Sequence, residues 1–168
     1  TKGDAALLIY DRYDIWSFDP EGKKAPVRLT KNGRENKVTY RRIVLDREQM
    51  DIDLKEPMLM TGFNEMDKST AVYRARLIAP ATPTLLAGGN YNYDNVMKAK
   101  NADKYIYSKE NFEVFPDVWV ADANFKKNLQ LTQGIRQQDA FIWGTAELIS
   151  WISLDGKKIE GVIYKPAN

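Results

Sequence analysis

The stretch 14-DIWSFD-19 decides how this sequence is interpreted, because a close copy, 117-DVWVAD-122, follows 103 residues later (117 minus 14). Each copy is completed by a Leu-Thr pair, at 29–30 and at 131–132. A fixed-period repeat in a chain rich in strand-forming residues is typical of propellers and other arrays, whose units run roughly 40 to 50 residues. The offset therefore predicts two units, with a further copy between the two.

A degenerate copy lies where this spacing predicts it. The segment 58-MLMTGFNEMDKSTAVYRARL-77 has the pattern strand, polar turn, strand, with Tyr73 at the position that Trp16 and Trp119 hold in the other copies. A small sheet on its own leaves an apolar face exposed, so the units are expected to stack radially and cover one another. The repeat units are placed near 5–33, 57–80 and 103–134.

Short apolar runs, rich in β-branched and aromatic residues and bounded by Asp, Asn, Gly or Pro, are typical of strands and dominate the chain. Asp155-Gly156 lies between two such runs and predicts a tight hairpin turn. One short helix is predicted, over Asp94–Lys100 with Asp94 as its cap. The fold class expected is all-β, a partial β-propeller of about three blades built from antiparallel sheets. The predicted strands are 6–10, 15–18, 37–45, 58–63, 71–78, 84–86, 105–108, 118–121, 148–154 and 159–164.

Composition excludes several classes of function. The chain is 43% hydrophobic and 29% charged with a net charge of +2, too little to indicate nucleic-acid or anionic-membrane binding. Cysteine is absent, which removes disulfides, thiolate chemistry and Cys-based zinc sites. Histidine is absent too, which removes the commonest general base and the usual partner of a nucleophilic serine. No apolar run approaches the roughly 20 residues of a membrane helix, and no cofactor is expected.

Individual residues that could carry chemistry are better explained as structure. No serine lies in a strand–elbow–helix context; the serines are Ser17, Ser69, Ser108, Ser150 and Ser153. Two carboxylate pairs have spacings that acid–base work could use, but both are interpreted as solvated turn residues: Asp51 with Asp53, and Glu110 with Glu113. We therefore assign no catalytic residue.

Two further motifs fall short of ligand sites. Asn90, Asn92 and Asp94 have the first three oxygen positions of a calcium loop, but Asn95 replaces the turn glycine and Asn101 stands where the loop needs a glutamate. Gly88-Gly89 lacks the Gly-Lys-Ser/Thr of a phosphate loop and is interpreted as a turn. No metal or cofactor residue is assigned, and substrate-binding residues are left open.

Aromatic residues at repeat positions are expected to pack between blades. Tyr91 and Tyr93 are the exceptions, because asparagines flank them in a predicted loop, where they could face a partner or a peptide substrate.

The pattern D-[IV]-W-x-x-D followed by L-T resembles the propeller repeat of the TolB type. The end of the chain, 143-WGTAELISWISLDGKKIEGVIYKP-166, is similar to the junction in serine peptidases of the prolyl oligopeptidase family, where a propeller leads through a strand hairpin into an α/β-hydrolase domain. The segment 104–122 resembles the last propeller repeats before that junction. The matching junction residues are Glu147, Trp151, Ser153, Asp155, Gly156, Gly161, Tyr164 and Pro166.

The resemblance implies a partial propeller over 1–143 and a junction hairpin over 144–168. It implies a non-catalytic piece of a dipeptidyl- or acylaminoacyl-peptidase-like enzyme, which gates and positions peptide substrates for its own C-terminal hydrolase domain. The family's Gly-x-Ser-x-Gly nucleophile motif and its Asp and His partners are not in this sequence. The compartment stays open from the residues themselves; the resemblance favours an extracytoplasmic location in a bacterium.

Two alternatives remain open. The first is a stand-alone TolB-like propeller that binds a protein partner; a Gly-x-Ser-x-Gly motif encoded after "YKPAN" would separate it from the peptidase interpretation. The second, a carbohydrate-binding β-sandwich, agrees less well with the repeat. The chain starts without methionine and ends after a strand-like run, so we expect a piece of a longer protein. Since three units do not close a propeller of four to eight blades, exposed flanking sheets are expected to self-associate.

Overall fold

The structure is a computed structural model that describes residues 1–49 and 51–167. Sheet 1 contains β1 (Leu7–Tyr10), β2 (Ile15–Phe18) and β3 (Val27–Arg28). Sheet 2 contains β4 (Val38–Arg42), β5 (Met58–Asn64), β6 (Thr70–Ala75) and β7 (Thr84–Ala87). Sheet 3 contains β8 (Asn92–Lys98), β9 (Lys104–Glu110), β10 (Asp117–Asp122) and β11 (Asn128–Gln130). The C-terminal hairpin contains β12 (Thr145–Ile152) and β13 (Lys158–Lys165).

Helical structure among the described residues is confined to short segments. One is a single-turn α-helix, α1 (Gly33–Asn36), and the others are 3₁₀ segments at Lys2–Asp4 and Gly134–Ala140. None of the helices in these residues has the length and apolar character needed to cross a bilayer. Strand pairing is antiparallel throughout the sheets and the hairpin, so the expected all-β, antiparallel fold is confirmed.

The sheets are meanders, because their strands pair in the order in which they occur along the chain. Successive four-stranded meanders, each stacked on the next, are the arrangement of blades in a propeller. The registers place Trp16, Tyr73 and Trp119 on equivalent strands: Trp16 pairs with Ile9, Tyr73 with Met60, and Trp119 with Tyr107. Tyr73 therefore occupies the position that the spacing of the repeats predicts for it.

Two apolar cores fill the gaps between neighbouring sheets. The first lies between sheets 1 and 2 and contains Ile15, Leu29, Val38, Tyr40, Met58, Met60, Ala75 and Leu77. The second lies between sheets 2 and 3 and contains Leu59, Val72, Tyr93, Val96, Tyr107, Ala121 and Phe125. Successive side chains of a strand point to opposite faces, so β5 sends Met58 and Met60 into the first core and Leu59 into the second. Sheet 2 is consequently buried on both faces.

The predicted helix over Asp94–Lys100 is wrong, because these residues belong mostly to β8. The pairing of β8 with β9 is irregular between Asp94 and Met97, and Asn95 has a positive φ of 52°. This irregularity puts Tyr93 and Val96, three residues apart, into the same core. A spacing of three on one face is the helical pattern, and here a β-bulge produces it. The Asp94 carboxylate accepts a hydrogen bond from the adjacent Asn95 N–H at 2.7 Å rather than capping a helix.

The short outer strands β3 and β11 are not predicted from the sequence; β11 is exposed, and β3 has one exposed and one half-buried residue. The predicted strand over 37–45 is too long, since β4 ends at Arg42. The Asp155-Gly156 turn is confirmed: Gly156 has a positive φ of 77°, and its N–H donates to the carbonyl of Ser153 at 3.0 Å.

Candidate functional site

The first aspartate of the repeat, Asp14, is fully buried and builds the sheet. Its Oδ1 accepts a hydrogen bond from the Thr30 hydroxyl at 2.9 Å, and that hydroxyl oxygen accepts one from the Ile15 N–H at 2.9 Å. A Cβ added to Gly33 would lie 2.5 Å from the same Oδ1, so only glycine fits there. Arg28 approaches the other carboxylate oxygen, with its Nη1 3.6 Å away. The Leu-Thr ending of the repeat therefore stabilises the start of β2 through Asp14 and Ile15.

The second copy repeats this arrangement with different outer partners. Asp117 Oδ1 accepts hydrogen bonds from the Thr132 hydroxyl at 2.6 Å and the Gly134 N–H at 2.7 Å, and its Oδ2 accepts one from the Gln130 amide at 2.8 Å. The Thr132 hydroxyl oxygen in turn accepts a bond from the Val118 N–H at 2.9 Å. Burial raises the pKa of Asp117, but the hydrogen bonds outweigh this effect and hold the pKa below its ordinary value.

Sheet 2 has the same geometry without the polar groups. Ala71 stands where the aspartate stands in the other sheets, and Ala87 stands where the threonine stands; Ala87 pairs with Val72 across the strands. A Cβ added to Gly88 would lie 3.3 Å from the Ala71 Cβ, much as one added to Gly33 would lie against Asp14, whereas at Gly134 the obstacle is the ring of Phe115. The carboxylate and the hydroxyl are both present in sheets 1 and 3, and both absent in sheet 2.

The last aspartate of the motif closes the following turn. Asp19 accepts backbone hydrogen bonds from Glu21, Lys23 and Lys24, and Asp122 accepts them from Lys126 and Lys127, all between 2.8 and 3.2 Å. Both aspartates around each tryptophan therefore have structural roles in the sheet and its turns, and neither belongs to the candidate site.

A cleft of about 850 Å³ lies between the loop ends of sheets 2 and 3 and the C-terminal hairpin. Four segments contribute to its walls: the β5–β6 turn, the β7–β8 loop, the β9–β10 loop and the inner face of the hairpin. Its lining residues are Met66–Ser69, Asn90–Asn92, Glu110–Glu113, Ala146–Leu148, Val162 and Tyr164. A cleft of this volume falls in the range of ligand sites.

The hairpin reaches the sheets through few contacts. Lys68 Nζ donates to Glu160 Oε2 at 2.5 Å, and the Trp143 indole donates to the carbonyl of Phe112 at 2.8 Å. The ring of Phe112 lies 4.9 Å from that of Tyr164 and 5.8 Å from that of Trp143. Phe112 is therefore the centre of the apolar contact between hairpin and sheets.

Acidic side chains outnumber basic ones in the cleft. Asp67, Glu110, Glu113 and Glu147 line it, against Lys68 alone. Lys68 is already paired with Glu160, and hydrogen bonds from Lys68 and Lys158 lower the pKa of Glu160. Glu147 pairs with Lys165 within the hairpin.

Glu110 and Glu113 differ from the other acidic groups of the cleft. In the part of the chain that the structure describes, neither carboxylate has a hydrogen-bond or ion-pair partner. The neighbouring cation, Lys109, contacts aromatic rings instead, with its Nζ 3.9 Å from the centre of the Tyr91 ring and 5.1 Å from that of Trp119. The cleft therefore presents uncompensated negative charge beside aromatic surface.

The structure brings some of the residues singled out from the sequence together in the cleft and disperses the others. Tyr91, Glu110, Glu113 and Ser69 line it, together with Asn90 and Asn92 of the abandoned calcium motif. Asp94 is absent from the lining. The interpretation of Tyr93 as a partner-facing residue is wrong: it is only 6% exposed, packs in the second core and donates its hydroxyl to the carbonyl of Gly88.

The serines of the described residues are engaged in turns and strands. Ser69 donates its hydroxyl to Asp67 at 2.6 Å within a turn, and Ser153 does the same to Asp155 in the hairpin turn. Ser17 and Ser150 lie within strands, and Ser108 donates to the carbonyl of Asp94. Across residues 1–49 and 51–167, no group of three or more acidic side chains could hold a metal ion. The arrangement can bind a ligand through charge and aromatic contact.

No protein-family model matches the sequence, and no curated protein matches it either. The fold is similar to solved structures of the isopeptidase AtxE2 at 10% sequence identity. The apo form gives a TM-score of 0.53, and a serine-to-alanine variant with Astexin3-dC4 bound gives 0.52. Both alignments cover 95% of this chain but only 23% of the isopeptidase chain. At this identity the likeness concerns the fold alone.

Proposed function

We propose that this chain is the non-catalytic propeller part of a prolyl oligopeptidase-like serine peptidase, and that its cleft receives peptide segments on their way to a hydrolase domain. The observation that carries the proposal is the cleft itself, which lies where the hairpin crosses the loop ends of sheets 2 and 3. Its uncompensated carboxylates and aromatic rings suit an extended peptide with a positive charge. AtxE2, whose fold this chain resembles, is itself an isopeptidase, and we carry that peptidase character over to the parent protein as part of the proposal.

Peptide binding tests the role of the cleft. Short fluorescein-labelled peptides with a lysine should bind the 168-residue chain more tightly than the same peptides with glutamine, as measured by fluorescence anisotropy. The double variant Glu110→Gln/Glu113→Gln should abolish the preference, because it removes the free carboxylates. Glu48→Gln, an exposed acidic residue outside the cleft lining, is the matched control and should retain it. Equal binding of both peptides by the unaltered chain would contradict the proposal.

Turnover tests the non-catalytic part of the proposal. The chain alone should not hydrolyse chromogenic dipeptide amides or esters, because it contains no histidine and its serines lie in strands and turns. Hydrolysis that a serine-directed reagent abolishes would show that the chain is itself an enzyme.

A stand-alone propeller that binds a protein partner is the second candidate function. The outward face of the hairpin is apolar and open to a partner: Ile149, Trp151, Ile159 and Ile163 are each between 37% and 47% exposed on that face. In a peptidase the hydrolase domain would cover this face, whereas in a stand-alone propeller a separate protein would. The coding sequence after Asn168 separates the two, since a peptidase requires a Gly-x-Ser-x-Gly motif with later Asp and His partners.

A further inference from the structure

Sheet 1 lacks a strand that the other two sheets contain. Sheets 2 and 3 begin with β4 and β8, which pair antiparallel with β5 and β9. Sheet 1 begins with β1, the counterpart of β5 and β9, and no described strand pairs with its far edge. The comparison within one chain indicates what this edge accepts, namely a short strand running antiparallel to β1.

The backbone groups at this edge can be identified from the neighbouring bonds. The Ile15 N–H donates to the Thr30 hydroxyl at 2.9 Å, and the Ile15 carbonyl accepts from the Leu29 N–H at 2.8 Å. Both backbone groups of Ile15 therefore point away from β1. Tyr10 is opposite Ile15 in the ladder, and antiparallel pairs alternate between bonded and non-bonded. Tyr10 and, two residues earlier, Leu8 therefore point their N–H and C=O groups to the open edge.

The chain covers only one end of this edge. The Thr1 hydroxyl accepts a bond from the Ala6 N–H, and the Thr1 amino group donates to the Ala6 carbonyl, each at 2.9 Å. The four backbone groups of Leu8 and Tyr10 have no partner within residues 1–49 and 51–167. Apolar side chains accompany them: Leu7 is 54% exposed, Ile9 44% and Tyr10 42%. An exposed apolar edge of this kind is a template for pairing with another chain.

We propose that this edge is a self-association surface, on which β1 of a second copy of the chain docks antiparallel with Ile9 opposite Ile9. In this register Leu8 of each copy lies opposite Tyr10 of the other, so all four free backbone groups of each copy are paired.

The charges agree with this register. Residues 5–10 carry no charged side chain, and on one side of them Asp11 and Arg12 would lie opposite the neutral Leu7 and Ala6 of the other copy. On the other side Asp4 lies outside β1, beyond the paired segment. No like charges oppose each other along the paired edge, so a second copy is a suitable occupant.

Sedimentation velocity of the full 168-residue chain tests this proposal, with a dimer as the expected result. Leu8→Pro removes an outward N–H donor but none of the β1–β2 hydrogen bonds, and Ile9→Lys places two lysines opposite each other. Each variant should raise the dimer dissociation constant about tenfold or more, because the substitution is present in both copies and weakens the interface twice. Far-UV circular dichroism should show that both variants are folded. If one variant misfolds, the dimer dissociation constant of the other variant tests the proposal.

Two matched variants place lysine on other exposed apolar surfaces. Leu129→Lys lies on β11, the outer strand of sheet 3, and Trp151→Lys lies on the outward face of the hairpin; both should leave the dimer intact. A monomeric unaltered chain, a dimer that survives both β1 variants, or a dimer that dissociates in either control would overturn the proposal.

Discussion

Thr132 shows what a single hydroxyl does in this chain, because it accepts from the Val118 N–H and donates to Asp117, 15 residues earlier in the sequence. Thr30 does the same for Ile15 and Asp14. Sheet 2 forms without this side-chain hydrogen bond, because Ala71 and Ala87 occupy the two positions. The sheet therefore forms with or without these two groups, but where the carboxylate is present the hydroxyl is present with it.

A double-mutant cycle on Asp117 and Thr132 tests this dependence. Thr132→Ala leaves a buried carboxylate without one donor and should cost about 1–3 kcal/mol of unfolding free energy. Asp117→Ala should cost a similar amount, and the double variant should cost less than the sum by about 0.5 kcal/mol or more. Urea unfolding gives all three values. Strict additivity would mean that the two residues stabilise the sheet independently.

The lowered pKa of Asp11 predicts that the folded chain loses stability in acid. Burial raises its pKa, but hydrogen bonds from the Asp14 and Tyr13 N–H groups, the Trp16 indole and Arg34 outweigh burial and lower the pKa to about 2. A folded-state pKa below the unfolded value means that the stabilisation is complete above about pH 5 and is lost as the pH falls through 3.8 towards 2. The urea midpoint should fall over that range.

Two substitutions isolate the Asp11 effect. Asp11→Asn should flatten the acid dependence of the urea midpoint, because the side chain no longer titrates. Trp16→Phe removes one of the donors to Asp11 and should flatten the dependence only in part. An Asp11→Asn variant with the same acid dependence as the unaltered chain would show that other carboxylates account for it.

Burial also separates residues that look equivalent in the sequence. Tyr91 and Tyr93 both have asparagine neighbours, yet Tyr91 lines the cleft and Tyr93 is buried in the second core. The start of β8 separates them: Tyr91 precedes the strand, whereas Tyr93 lies within it and packs in the second core. The sequence did not predict this strand because its bulge imitates helical spacing. The sequence indicates Glu110 and Glu113 as a pair of carboxylates. Their position beside Tyr91 results from the β7–β8 and β9–β10 loops lying next to each other, which the sequence alone does not show.

Strand β5 depends on a glycine that the sequence does not mark as special. A Cβ at Gly62 would lie 2.4 Å from the Tyr73 ring and 2.9 Å from Val38, so the ring of β6 rests directly on the backbone of β5. Gly62→Ala should cost about 1–3 kcal/mol of unfolding free energy through overpacking. In a Tyr73→Ala background the cost should shrink to the part that Val38 causes. An unchanged cost in that background would exclude the ring as the obstacle.

The hairpin β12–β13 should be the least stable element, since a two-stranded hairpin alone is marginal in water. Phe112→Ala removes the ring that contacts Trp143 and Tyr164 and should speed amide hydrogen exchange throughout the hairpin while sheets 1–3 keep their protection. Lys68→Met, which removes only a partly exposed ion pair worth about 0–1 kcal/mol, should speed it less. Unchanged exchange in Phe112→Ala would mean that other contacts hold the hairpin.

The stacking of the sheets explains which parts of the molecule depend on one another. Each core lies between two neighbouring sheets, and sheet 2 contributes to both. Neither core, as defined by its buried members, contains a residue beyond Phe125. The sheets should therefore unfold together, and the hairpin should contribute little to their stability.

Truncation tests this division. A chain that ends after Ile135 keeps the Gly134 bond to Asp117 and should retain its β-type circular dichroism, with an unfolding free energy within about 1 kcal/mol of the full chain. Loss of cooperative unfolding in the truncated chain would show that the hairpin is part of the core.

The sequence predicts the architecture better than the site. Repeat spacing and strand patterns indicate antiparallel sheets and place Tyr73 correctly, because those signals are local and recur. The cleft joins the turn at Met66, the loop at Tyr91 and the strand end at Glu110 with a hairpin far along the chain. Such a meeting is a property of the stacked sheets, and no local pattern encodes it.

The alanines of sheet 2 change what it means for a position to match the repeat. In sheets 1 and 3 an aspartate is followed about 16 residues later by a threonine, and in sheet 2 Ala71 is followed by Ala87. The choice at one position is thus conditional on the choice at the other. A comparison that scores the two positions separately counts sheet 2 as two mismatches, whereas one that scores them jointly recognises a permitted alternative. Further copies of this unit are therefore best sought by covariation between the two positions.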